Sequence, residues 1–163
     1  MSGAAEIVLE TVPRDAPEVL TLYDAFIREA DGPLGDAVDL AAEIAAGPPA
    51  DLVPPAGAFL LARVGGEPAG IGGVRFLDTE VGEVKSMFVS PTHRGLGLGR
   101  RLLAELDGIA AAHGCRAVRL DTSAYLTEAL GLYRAAGYRE VPDYNGNPKA
   151  DVWLERELYA LNP

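Results

Sequence analysis

The chain has 163 residues, 48% hydrophobic and 23% charged, a composition that fits one soluble globular domain and excludes a disordered or fibrous chain. Its 24 acidic and 14 basic residues give a net charge of -10, which argues against non-specific nucleic-acid binding because that requires a basic footprint. Cys115 is the only cysteine, which excludes an internal disulfide and a cysteine metal cluster. No apolar run reaches about 18 residues, and "MSGAAEIVLE" lacks a basic segment leading into an apolar one, so a cytoplasmic protein with no membrane partner is expected.

"EIVLETV" (6–12) alternates as a first strand. Pro13 and Asp15, a candidate cap, then open a helix through "APEVLTLYDAFIREA" (16–30), where Val19, Leu22, Tyr23, Phe26 and Ile27 recur at helical spacing. "DGPLG" (31–35) breaks it. A second short helix, "DAVDLAAEIAA" (36–46), runs into the proline-rich "GPPADLVPPAG" (47–57), which reads as a mobile loop. "AFLLARV" (58–64), the turn "GGEP" and "AGIGGVRFL" (69–77) form a β-hairpin, and "EVKSMFV" (83–89) is a third consecutive strand. Strict alternation along that strand would put Glu83, Lys85, Met87 and Val89 on one face. After a glycine-rich loop, "RRLLAELDGIAAAHG" (100–114) is a helix with Leu102, Leu103, Leu106, Ile109 and Ala110 as its apolar stripe and Gly114 at its end. "RAVRLDT" (116–122) is a strand, "LTEALGLYRAAG" (126–137) a helix, and "YREV" (138–141) and "DVWLEREL" (151–158) are strands. The order β-α-α-β-β-β-α-β-α-β-β describes a mixed α/β fold in a single domain spanning 1–163.

The loop "RGLGLGRR" (94–101) carries the chemistry. Glycines between a strand and a helix let backbone N–H groups face a ligand, and the helix N-terminus adds unsatisfied donors and a positive dipole end. Arg94, Arg100 and Arg101 add local positive charge, so a phosphate is the expected ligand. A dinucleotide fingerprint fails, because its third glycine would fall on Arg100. A Walker loop fails as well, because Arg100 is followed by Arg101 and Leu102 where lysine and a hydroxyl are needed.

The pattern that fits is R-x-x-G-x-G, on Arg94, Gly97 and Gly99. With "EVKSMFVSPTHRGLGLGRRLL" before and around it and "EALGLYRAAGYREV" after it, the chain resembles the GNAT superfamily of N-acetyltransferases over about 60 residues. The resemblance implies a mostly antiparallel central sheet flanked by helices, and acetyl-CoA as co-substrate with no metal. It implies that the amides along Arg94, Gly95, Leu96, Gly97, Leu98, Gly99 and Arg100 hold the CoA pyrophosphate. It implies further that the backbone of Met87, Phe88 and Val89 pairs with the pantetheine arm and the acetyl group, on a strand that often carries a bulge. A sheet edge offers such groups by its nature.

By the same resemblance Glu83 is the candidate general base for the attacking amine, and Tyr133 the acid that protonates the leaving sulfur. Tyr138 reads as packing. Many members carry an asparagine soon after the strand that here reads "RAVRLDT"; this chain has Thr122 and Ser123 instead, which leaves that contact unassigned.

Two functions follow: N-acetylation of a primary amine, on a small molecule or a peptide, by direct attack in a ternary complex, or a non-catalytic module that senses acyl-CoA. The edge strands make a homodimer possible. His93 and His113 read as solvated, and Cys115 as a small buried residue. Tyr144, Asn145 and Asn147 read as a polar turn within reach of the acceptor end, and Trp153 as core or a dimer contact.

Overall fold

Apolar alternation becomes one seven-stranded sheet in the computed structural model, which describes residues 4–30 and 39–158. The strands are β1 (Ile7–Thr11), β2 (Gly57–Val64), β3 (Glu67–Phe76), β4 (Val81–Val89), β5 (Ala117–Thr122), β6 (Arg139–Val141) and β7 (Val152–Glu157), in spatial order β1-β2-β3-β4-β5-β7-β6. Every neighbouring pair is antiparallel except β4–β5, which is parallel. The helices are α1 (Pro17–Ala30), α2 (Leu40–Ala46), α3 (Leu98–His113) and α4 (Thr127–Ala135). The expected break at 31–35 and the first residues of the second helix, 36–38, lie outside the described residues. Asp15 does not start α1, because Pro17 takes the first helical position, where its fixed φ and missing N–H cost nothing.

Each face of the sheet buries one helical stripe. On one face Leu102, Leu103, Leu106 and Ala110 of α3 pack with Leu60, Val74, Val84 and Leu120. On the other, Val19, Leu22, Tyr23 and Ile27 of α1 pack with Phe59, Leu61, Ile71 and Phe88. The proline-rich stretch does more than connect. Leu52, within it, is fully buried in the α1 core, and Gly73 makes the room, since a Cβ there would stand 2.8 Å from Leu52 Cδ1. Its sequence hides this because one leucine among prolines has no period.

Asp107 is a second departure from the simple pattern, a buried acid on α3. It accepts from the Tyr138 hydroxyl at 2.5 Å and pairs with Arg156 at 2.6 Å, while burial pushes its carboxyl above the ordinary range. Tyr138 is packing, as expected, and it also satisfies this acid. Cys115 is buried. His113 is exposed, with its ring stacked on Phe76 at 3.6 Å.

Two irregularities in β4 open the sheet. Ser86 adopts φ +57°, and the register with β3 shifts between Ile71 and Gly73, so two β4 residues oppose one on β3. The bulge corrects the alternation expected from sequence. Glu83 and Lys85 face the α1 side, whereas Met87 and Val89 turn to the α3 side with Val84. Beyond the bulge β4 leaves β5 altogether, because the parallel pairing covers only Val81 to Glu83 against Ala117 to Arg119.

Candidate active site

Where β4 and β5 part, a cleft of about 790 Å³ runs between them, and Met87, Phe88 and Val89 lie along its β4 wall. Their edge has no β5 partner, so an extended ligand bearing amides can take the place of a strand there.

The glycine loop closes one end. Gly95 and Gly97 sit at φ +83° and +76°, in the left-handed region that side chains disfavour. Gly97 is also the N-cap of α3 with no side chain capping it, which leaves the first-turn N–H groups at Leu98, Gly99 and Arg100 turned to the cleft mouth. Leu98 is buried and anchors the turn, while Leu96 is exposed. Gly99 has a different task, since a Cβ there would meet Leu132 of α4 at 2.9 Å. It lets α4 close on α3 beside the cleft. Arg94 does not aim freely at the loop. Its guanidinium bonds the Val89 carbonyl at 3.0 Å and Glu29 of α1 at 2.7 and 2.9 Å, lying over the Phe88 ring. Arg100 and Arg101 have no ion-pair partner among the described residues, so they are the unspent positive charge at this end.

Tyr133 lines the cleft from α4. It is 6% exposed, and its hydroxyl has no hydrogen-bond partner among the described residues. Burial first, and the nearby Asp121 charge second, raise its pKa well above that of an ordinary phenol. It therefore keeps its proton at neutral pH.

Glu83 is placed differently, at 1% exposure and off the cleft wall. Oε1 accepts from Arg75 Nε at 2.8 Å and Nη2 at 2.7 Å. Oε2 accepts from the Tyr144 hydroxyl at 2.5 Å and Asn145 Nδ2 at 3.3 Å. Lys85, which does line the cleft, stands 3.8 Å away. Burial, followed by the bond to Glu83, holds the Tyr144 proton far above its usual range.

The stretch between β6 and β7 is the polar turn that the sequence predicts, and of its three named residues Asn147 lines the cleft. Asp143 Oδ1 accepts from the backbone N–H of Asn145 and Gly146, and Asn145 Oδ1 from that of Asn147. Folded this way, it delivers Tyr144 and Asn145 to Glu83, and Asn145 and Asn147 to Asp121. Trp153 donates to Asn145 Oδ1 at 2.9 Å, which fixes the turn on β7. Ser123, a possible substitute for the missing asparagine, spends its hydroxyl on the Lys149 carbonyl at 3.1 Å. His93, read as solvated, is half-buried on the cleft wall beside Glu67. Asp121 goes unmarked in the sequence, where its only signal is a polar residue in alternation with Val118 and Leu120 on β5.

The sequence model of the Acetyltransferase (GNAT) family matches residues 19–138. An IAA acetyltransferase of Azospirillum brasilense is 38% identical over 104 residues, which are 61% of this chain and 67% of that protein. An aminoglycoside N(6')-acetyltransferase type 1 of Stenotrophomonas maltophilia is 26% identical over 148 residues, 86% and 90% of the two chains. The crystal structure of a GNAT family acetyltransferase from Elizabethkingia anophelis with acetyl-CoA bound is similar at a TM-score of 0.65 and 20% identity, covering 93% of this chain and 98% of that one. At that identity the likeness is one of fold.

Proposed function

The chain belongs to the GNAT acetyltransferase family, and on that premise we propose that it moves the acetyl group of acetyl-CoA to a primary amine by direct attack within a ternary complex. One observation carries the reading: a single cleft joins the glycine turn, the edge of β4 beyond its pairing with β5, and Tyr133, whose hydroxyl has no partner among the described residues. The open space around a Cβ at Gly95 and the left-handed turn at Gly97 suit a pyrophosphate on the amides of 95–100, with Arg100 beside it. Acetyl-CoA held there supplies an acetyl group activated as a thioester.

The residues then divide the work. The backbone of Met87, Phe88 and Val89 aligns the pantetheine arm and polarises the carbonyl. Tyr133 holds a proton where the sulfur must leave. Glu83 accepts the amine proton through water that passes Lys85, since its own carboxylate lies behind the cleft wall. Attack is direct because Cys115, the sole thiol, is buried outside the cleft, and burial raises its pKa. The acceptor is an amine of a small molecule or a peptide.

The test is thiol release from acetyl-CoA across a panel of primary amines, with the acetylated product weighed by mass spectrometry. Release that depends on amine, together with a product heavier by one acetyl group, is expected. Acetyl-CoA binding without release for any amine would favour the acyl-CoA sensing module instead.

A further inference from the structure

Four carboxylates line the cleft among the described residues, Glu29, Glu43, Asp121 and Glu128, and Asp121 is the most buried of them. It stands on β5 just past the point where β4 leaves, its side chain only 9% exposed, on the polar side of the sheet with Glu83 and Lys85. Three donors already hold it: Lys85 Nζ at 3.0 Å and Asn145 Nδ2 at 2.5 Å on Oδ2, and Asn147 Nδ2 at 3.1 Å on Oδ1. An ionised carboxylate offers about four acceptor positions. Among the described residues one position, on Oδ1, is unspent. A carboxylate this buried and this firmly oriented is costly to build unless something uses it, and burial strengthens whatever it binds.

Its neighbours indicate what it binds. Its negative charge reaches Tyr133, whose proton it helps to retain, so it lies close to the group proposed to serve the leaving sulfur. On the cleft wall from α1 and β4, Tyr23, Phe26, Ile27 and Phe88 form an apolar patch, with Glu29 and Lys85 on the same wall. Phe26 packs edge-on against Phe88 with ring centroids 6.1 Å apart. A charged nitrogen on an apolar body satisfies both surfaces at once. Resting on the acetyltransferase reading above, we propose that Asp121 receives the acceptor's ammonium group and that the acceptor class is an aralkylamine. Asn145 and Asn147 hold the carboxylate in place for it, and Lys85 balances its charge when the cleft is empty of amine.

The probe is 2-phenylethylamine, with 2-phenylethanol as its uncharged counterpart. Calorimetric titration onto the full chain saturated with CoA should give about tenfold or more tighter binding of the amine than of the alcohol, as expected for a charged hydrogen bond. Asp121→Asn should erase that preference while leaving acetyl-CoA affinity within about twofold, and Asp121→Glu should restore part of it. In turnover, the same Asp121→Asn change should raise KM for the amine and leave KM for acetyl-CoA unchanged. Equal binding of amine and alcohol to the wild type would overturn the proposal, as would a preference that survives Asp121→Asn. An Asp121→Asn protein that loses acetyl-CoA affinity in the same proportion would also overturn it, by making Asp121 an anchor of the 142–150 turn. If 2-phenylethylamine fails while other amines release thiol, the assignment falls and the acetyltransferase reading stands.

Discussion

Tyr133 and Glu83 carry the two proton roles proposed here, and their surroundings suit them unequally. The tyrosine lines the cleft and its hydroxyl has no partner among the described residues, so Tyr133→Phe removes one proton donor and little else. We expect turnover to fall by about a hundredfold with acetyl-CoA affinity unchanged. Glu83 is held behind the cleft wall by Arg75, Tyr144 and Asn145, and because it is the proposed base reached through water, Glu83→Gln should still lower turnover by about a hundredfold. Steady-state kinetics beside calorimetric acetyl-CoA binding checks both, and two variants at full rate on the true acceptor would remove the assignment. The sequence made Tyr133 legible because helical spacing and the flanking Gly137–Tyr138 pair locate it. It could not reveal Asp121, because that residue gains its meaning from Asn145 and Asn147, about 25 positions on, folded back by a turn.

At the scale of the element, the glycine turn and the β4 bulge were legible to different degrees. The three glycines at alternate positions announce a backbone that side chains would obstruct, and two of them do adopt left-handed φ. Gly99 looks the same in sequence but serves α4 packing, which only the fold reveals. The resemblance allows a bulge on this strand, but its place at Ser86 is silent in sequence, since serine carries no mark of positive φ, and one inserted residue inverts every later side chain. Gly97→Ala tests the turn. Forcing an alanine into φ +76° costs about 1–2 kcal/mol, so relaxation of the cap should weaken acetyl-CoA binding by roughly tenfold. Titration calorimetry reads the change, and unaltered affinity would mean that the cap is no part of the anion site.

Across the molecule, the element order and the two helical stripes were readable because apolar period sets both helix face and strand face. What remained hidden was everything the sheet brings together from afar: the Leu52 plug, the Tyr138–Asp107–Arg156 cluster, and the polar face behind the cleft. Net charge misleads at this scale. The chain carries -10 overall, yet among the described residues Arg100 and Arg101 have no ion-pair partner beside the glycine turn, while Glu29 pairs with Arg94. No described helix is long and apolar enough to cross a membrane. Acetyl transfer as proposed requires acetyl-CoA to lie between the glycine turn and the parted strands, and amide hydrogen exchange with and without acetyl-CoA reports on that directly. Protection should rise at residues 95–100 and along 87–89, with the sheet edge at β1 unchanged. Acetyl-CoA binding that protects neither segment would contradict it.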